Sequence, residues 1–186
     1  MSAQTIAIAL SLVTLALAQK CSADWLVQPG AGPVTVERSA DGKDIVLDNG
    51  LIRRTFRLRP NAATSAYDNL MTGASILRGV KPEAVVQIDG RRFAIGGLRG
   101  QVEYAYLRPE WVDALTSDPN AFQFVGYETG GTKARFPWAR KRYAADVPWP
   151  PRGASLQLRF RPPAGVRVGM AVTVCYSSKP VRIGEP

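Results

Sequence analysis

Residues 133–143 form a basic and aromatic stretch whose side chains are suited to ligand binding. The stretch reads KARFPWARKRY, and sets the cations Lys133, Arg135, Arg140, Lys141 and Arg142 among the rings of Phe136, Trp138 and Tyr143. Such cations can follow a phosphate or sulfate backbone while the rings stack on bases or sugars. The alternative is a surface loop whose rings pin it to a sheet, and Pro137 and Pro148 fit that loop. The stretch therefore predicts either a polyanion site or an anchored loop.

Several aromatic residues could instead form a platform for sugar, because an aromatic face packs against the C–H face of a pyranose. The candidates are Trp111, Trp138, Trp149, Tyr104 and Tyr106. Packing in a core is the more frequent use of tryptophan. If the protein binds sugar, we expect the ligand-binding residues to be Trp111, Trp138, Trp149, Arg135 and Arg140.

Pairs of carboxylates could support hydrolysis of a glycosidic bond, which needs two carboxyl groups at a set separation and no histidine. The candidates are Asp44, Asp48, Glu103, Glu110 and Asp113. Sequence spacing does not give the separation between them. Asp48 precedes a predicted turn and Glu110 lies in the first turn of a predicted helix, which are ordinary structural positions. We therefore assign no catalytic residue.

The absence of histidine narrows the possible chemistry, because the sequence contains none. Catalytic triads that use histidine as the base are excluded within the chain. A zinc site would have to use Cys21, Cys175 and carboxylates, which is a poor set of ligands, so we expect no metal site. The glycines at 96, 97 and 100 lack the context of a nucleotide-binding loop, and we expect no cofactor.

The formal net charge is +9. Such a surplus is typical either of a face that binds polyanions or of a cationic surface without a partner. The arginines are scattered along the chain rather than massed, which favours the second interpretation. We expect no specific binding of nucleic acid, while the sequence leaves the oligomeric state open.

Residues 1–23 resemble an export signal. Ile6 to Leu17 is apolar but short for a membrane span, and Ala16-Leu17-Ala18 fits a cleavage site. The alternative is a buried N-terminal helix. Export predicts a secreted or periplasmic protein with no transmembrane segment after cleavage. In that setting Cys21 and Cys175 could form one disulfide bridge, unless cleavage after Ala23 removes Cys21.

The turn signals predict two β-hairpins. One pairs Asp44–Asp48 with Leu51–Leu58 around Asn49-Gly50, a dipeptide that suits a type I′ turn, and the imperfect alternation at Arg53-Arg54 suggests a bulge or an edge strand. The other pairs Ala84–Asp89 with Arg92–Ile95 around Asp89-Gly90. The two clearest alternating segments are Ser155–Arg161 and Val166–Tyr176.

Shorter signals complete the predicted fold. Val34–Arg38 and Ala121–Tyr127 read as strands, and 129–151 reads as irregular. Pro109 to Leu115 is the helix signal, with Trp111 and Leu115 on one face. We predict an all-β, antiparallel β-sandwich with one short helix over residues 24–176, followed by an irregular tail at 177–186.

Three phrases of the sequence are similar to a known family. They are DNGLIRRTFRLRPNAATSAYDNLMTGASILRGVKPEA at Asp48–Ala84, YAYLRPEWVDAL at Tyr104–Leu115 and WPPRGASLQLRFRPP at Trp149–Pro163. They resemble the N-terminal region of large secreted proteins of the α-galactosidase-like type, in which a β-supersandwich precedes a separate catalytic region. The resemblance implies a sandwich without catalytic carboxylates of its own, since those lie in the later domain. No catalytic residue is carried over.

The end of the chain departs from that pattern. Val172 to Tyr176 resembles the start of a core strand, but it runs into the polar sequence SSKPVRIGEP. This predicts a truncated chain and an incomplete sandwich with an open edge.

The leading hypothesis is an exported, non-catalytic, carbohydrate-associated module from a glycoside-hydrolase-like protein. The alternatives are a glycoside hydrolase with a carboxylate pair, and a secreted protein that binds polyanions through residues 133–143.

Overall fold

A computed structural model describes residues 33–139, 141, 148–166 and 169–179. The predicted export signal, Cys21 and Arg140 lie outside the described residues, as does most of the predicted tail. Export and the disulfide bridge therefore stay predictions.

Ten strands and one short helix lie within the described residues. The elements are β1 (Thr35–Arg38), β2 (Asp44–Asp48), β3 (Ile52–Arg57), β4 (Ala63–Asn69), β5 (Ala74–Ser75), β6 (Ala84–Ile88), β7 (Arg91–Ile95), α1 (Pro109–Val112), β8 (Gln123–Gly131), β9 (Ala154–Arg161) and β10 (Val172–Ser178).

The strands form three antiparallel sheets. Five strands pair in the order β1-β2-β3-β4-β5, three pair as β10-β9-β8, and β6 pairs with β7 as a separate hairpin. This arrangement confirms the predicted mainly β, sandwich-like fold with a short helix. The incompleteness of the sandwich stays a prediction.

The core lies where the three sheets meet. Leu156, Leu158 and Phe160 of β9 are fully buried, as the alternation predicts, and they pack with Phe56 of β3 and Ile95 of β7 in one cluster. Because one cluster draws on every sheet, each sheet buries its apolar face against the other two.

Both predicted hairpins form, but their turns differ. Asp89 and Gly90 have φ of 49° and 77°, as a type I′ turn requires. In the other hairpin Asn49 donates its backbone N–H to the carbonyl of Ile52, which places Gly50 and Leu51 at the centre of the turn. Gly50 has a φ of 81° and Asn49 does not have a positive φ. The predicted type I′ turn at Asn49-Gly50 is therefore wrong, because the loop is shifted by one residue.

The bulge also lies elsewhere than predicted. Arg53 and Arg54 pair regularly with Asp68 and Tyr67, whereas the register between β3 and β4 shifts after Thr55. The extra residue in β4 is Ser65, since Thr55 faces Ala66 and Phe56 faces Thr64.

The helix is one turn long and covers the first part of the predicted segment Pro109–Leu115. It begins at Pro109, the predicted position, and ends at Val112. Its buried side chain is Val112, and Leu115 just beyond it is buried too, whereas Trp111 is partly exposed. The prediction that Trp111 and Leu115 share a helix face is wrong, because the α-helix ends before Leu115.

Two strands, β8 and β10, have bounds that differ from the sequence prediction by more than one residue. β8 runs to Gly131, into the segment predicted to be irregular. β10 begins at Val172 rather than Val166 and ends at Ser178. Val166 and Met170 still pack against the core, from the loop between β9 and β10.

Candidate functional site

A groove of about 400 Å³ lies at one end of the three-stranded sheet. Gly131 at the end of β8 faces Ala154 at the start of β9, and Ser178 of β10 faces the same residue. Segment 132–139 follows β8 and segment 148–153 precedes β9, so the two segments meet at this end of the sheet. The Thr132 hydroxyl donates a hydrogen bond to the Pro151 carbonyl and ties the two segments together.

Three aromatic rings pack against one another in a tilted arrangement, and two of them, Phe136 and Trp149, line this groove. The centroids of Phe136 and Trp149 are 5.1 Å apart, and those of Trp138 and Trp149 are 5.6 Å apart, with the planes tilted by 41° and 40°. The Trp149 Nε1–H donates to the Phe136 carbonyl over 3.2 Å. Phe136 is 55% exposed and Trp138 is 37% exposed, so the stack stands outside the core. We call these three residues the aromatic stack.

Cations flank the aromatic stack. Lys133, Arg135 and Lys179 line the groove, and its described lining residues include no carboxylate. Arg135 Nη2 donates to Ser177 Oγ at 3.3 Å, and Lys179 Nζ lies 5.8 Å from the centroid of the Trp149 ring. The groove therefore combines aromatic faces with positive charge.

The structure brings together only part of the predicted ligand-binding set. Trp149 and Arg135 line the groove, Trp138 packs against Trp149 without lining it, and Arg140 lies outside the described residues. Trp111 lies apart, with its ring 5.4 Å from Tyr106 and the Arg108 guanidinium 5.7 Å from its centroid. Of the three tryptophans predicted to form a platform, Trp138 and Trp149 thus lie together, with Phe136 beside Trp149.

A larger groove, of about 800 Å³, is lined by Arg38, Lys43, Arg57, Arg59 and Asp113 among others. Arg57 Nε donates to Asp44 Oδ1 at 2.6 Å, and its Nη1 donates to Asp113. Lys43 Nζ lies 3.0 Å from Asp113 Oδ2. These ion pairs neutralise two of the groove's cations.

Ion pairing also limits what Asp113 can do chemically. Hydrogen bonds from Lys43 and then Arg57 hold the pKa of the Asp113 carboxyl below its usual range. The group is therefore ionised at neutral pH and poorly suited to act as a general acid.

Two other candidate carboxylates hold the backbone or a neighbouring strand. Asp48 pairs with Arg53 at 2.9 Å. Glu103 accepts hydrogen bonds from the backbone N–H groups of Ala105 and Tyr104, at 2.9 Å and 2.6 Å, and these lower its pKa. Both carboxylates thus have local structural partners.

A buried polar cluster at Glu83 escaped the sequence analysis. The Glu83 side chain is 1% exposed and accepts a hydrogen bond from Arg54 Nη2 at 2.9 Å. It also accepts from the Thr64 backbone N–H and the Tyr176 hydroxyl. Local pattern gave no signal for this cluster, because Arg54 and Tyr176 are 29 and 93 residues from Glu83. All four groups satisfy one another, which indicates a structural role.

Comparisons with known proteins give no match: no family model, curated protein or solved structure is significantly similar to this chain. Function must therefore be argued from the geometry of the site.

The described residues contain no group of three or more side chains that could together ligate a metal ion. None of their helices has the length and apolar character needed to cross a membrane.

Proposed function

We propose that this chain is a non-catalytic module that binds carbohydrate through Phe136, Trp138 and Trp149. The observation that carries the proposal is the aromatic stack, which stands partly exposed along a groove of about 400 Å³. Exposed large apolar groups gathered in one place are the informative exception to burial, and they are typical of binding sites.

The geometry of the stack suits a sugar ring. Trp149 is held by its hydrogen bond to the Phe136 carbonyl and by its contacts with the Phe136 and Trp138 rings. A preorganised ring loses little conformational freedom when a ligand stacks on it. Sugars offer apolar C–H faces for such rings, and hydroxyl groups for the polar rim.

The ion pairs of the candidate carboxylates favour binding without catalysis. Asp44, Asp48 and Asp113 each pair with an arginine. Each of these carboxylates therefore has a structural partner, and for Asp113 the hydrogen bonds from Lys43 and Arg57 also lower the pKa of the carboxyl.

Export and membership of a larger glycoside-hydrolase-like protein belong to the same proposal. Their support is the apolar N-terminal segment and the α-galactosidase-like phrases of the sequence.

The test is a glycan-array screen of the purified full chain, with near-UV circular dichroism on the same sample to establish fixed aromatic packing. The array carries neutral oligosaccharides and their sulfated or uronate-containing counterparts. We expect binding to at least one glycan. Trp138→Ala and Trp149→Ala should weaken it by about tenfold or more, since large aromatic anchors are typical hot spots.

Trp111→Ala is the matched control, because it removes the same side chain from a different aromatic pair. It should leave binding unchanged. Trp149 also holds its own loop through a hydrogen bond, so Trp138→Ala is the more direct variant. A folded chain that binds no glycan, or that loses binding equally in Trp111→Ala, would contradict the proposal.

A further inference from the structure

We propose that the groove beside the aromatic stack selects carbohydrates that carry negative charge, as sulfate esters or uronate carboxylates. The inference rests on the proposed function, and it names the class of sugar that the same groove takes.

Cations reach this groove from two separate parts of the chain. Lys133 and Arg135 follow β8, whereas Lys179 follows β10. All three line the groove, and its described lining residues include no aspartate or glutamate. A ligand in contact with the stack would therefore meet a positive field.

Elsewhere the cations of the chain are often compensated. Arg53 pairs with Asp48, Arg99 with Asp118, and Arg159 with Glu128. In the groove, Arg135 contacts the neutral hydroxyl of Ser177, and Lys179 lies near the Trp149 ring. Neither contact cancels the positive charge. The difference points to an anionic ligand rather than to a neutral one.

The two kinds of group would recognise different parts of one ligand. The aromatic stack offers its faces to the sugar ring. A guanidinium presents a planar fork that matches carboxylate and sulfate oxygens, and an ammonium adds a point charge. Since these cations are exposed, each ion pair contributes modestly and is weakened by salt.

The experiment compares matched pairs of glycans on the full chain. Each neutral oligosaccharide of the array is set beside its sulfated and its uronate counterpart, and the tightest-binding pair is titrated at low and at physiological ionic strength. We expect the acidic member to bind at least about tenfold more tightly at low ionic strength, because three exposed ion pairs act together. The preference should shrink at the higher ionic strength. The sulfated and uronate arms decide which anion is preferred.

Charge-removing variants test the residues named. Arg135→Gln and Lys179→Gln should each reduce the preference by about threefold, as expected for an exposed ion pair. Arg92→Gln is the control, since it removes one charge from an exposed position on β7 and should leave the preference unchanged.

Three outcomes would overturn the inference. Equal binding of neutral and acidic members would do so while leaving the proposed function in place, whereas no binding to any glycan would remove both. Binding of poly-dT as tight as that of the acidic glycan, with no loss in Trp138→Ala, would indicate a general polyanion site instead.

Discussion

The Glu83 carboxylate is almost wholly buried, and both of its oxygens accept hydrogen bonds. Its partners come from two sheets: Arg54 of β3 and Thr64 of β4 lie in the five-stranded sheet, and Tyr176 of β10 lies in the three-stranded sheet. Arg54 in turn lies over the Tyr176 ring, 4.5 Å from its centroid. Through these contacts, the residues of this cluster fix how the two larger sheets pack against each other.

Replacing Glu83 by glutamine should destabilise the protein strongly. The variant leaves the Arg54 guanidinium, which is 31% exposed, without its anionic partner. We expect a loss of about 2–4 kcal/mol in the free energy of unfolding, measured with urea. Glu128→Gln is the control, because its pair with Arg159 is half exposed, and it should cost at most about 1 kcal/mol. Equal losses in the two variants would show that the buried cluster contributes no more to stability than an exposed ion pair does.

Tyr176 should make stability fall at alkaline pH. Burial, then the nearby charge and hydrogen bond of Glu83, raise the pKa of the Tyr176 hydroxyl. Its contribution to stability is therefore complete below about pH 10, the ordinary tyrosine value, and declines above it as unfolded chains ionise. The free energy of unfolding should fall more steeply between about pH 9 and about pH 11 in the native protein than in Tyr176→Phe. An identical pH dependence in the native protein and in Tyr176→Phe would contradict this prediction.

Local patterns predicted the elements that depend only on neighbouring residues. The hairpin at Asp89-Gly90 and strand β9 follow from turn residues and period-two alternation. The pattern missed β4, whose small residues give a weak strand signal, and it placed the turn after β2 one residue away. The Asn49 side chain explains that shift, because its Oδ1 accepts hydrogen bonds from the backbone N–H groups of Leu51 and Ile52.

The candidate site was predictable in part. The composition of residues 133–143 pointed to aromatic and basic side chains: Lys133, Arg135 and Phe136 line the groove and Trp138 joins the stack, whereas Lys141 does neither. The sequence could not exclude Trp111 from the platform or pair Trp149 with Phe136, because both results depend on how two irregular segments meet at the end of a sheet.

Gly96, just after β7, is a position at which other elements approach the backbone closely. It has a φ of 63°, and a Cβ there would overlap the Ala62 carbonyl oxygen and lie 2.9 Å from Phe160 Cε1. Gly100 also has a positive φ, of 96°, but a Cβ there would meet nothing within 4 Å. An alanine at either position would therefore have a strained backbone, but only at Gly96 would its Cβ also overlap neighbouring atoms.

Gly96→Ala should cost about 3 kcal/mol or more in the free energy of unfolding, because steric overlap adds to the strain of a left-handed alanine. Gly100→Ala should cost about 1–2 kcal/mol, from the strain alone. Urea unfolding of the two variants measures the difference. If Gly96→Ala is no worse than Gly100→Ala, the junction between β7 and the core is looser than described.

For the whole molecule, one core cluster joins the three sheets. The sheets should therefore unfold together. Far-UV and near-UV circular dichroism should give coincident urea transitions, as in a two-state domain. Leu158→Ala, at a fully buried position, should lower both midpoints equally and cost about 2–5 kcal/mol. Val85→Ala, at a position 53% exposed, is the control and should change little. Separate transitions would mean that the sheets are independent.

Whether carbohydrate binds at the aromatic stack can be observed in the indole signals of tryptophan. Proton–nitrogen correlation spectra of the full chain report the indole N–H groups of Trp111, Trp138 and Trp149 separately. The titrant is the glycan that binds most tightly on the array. We predict that the signals of Trp138 and Trp149 move with saturation while the signal of Trp111 stays in place. A glycan that binds and moves Trp111 alone, or none of the three, would contradict the account.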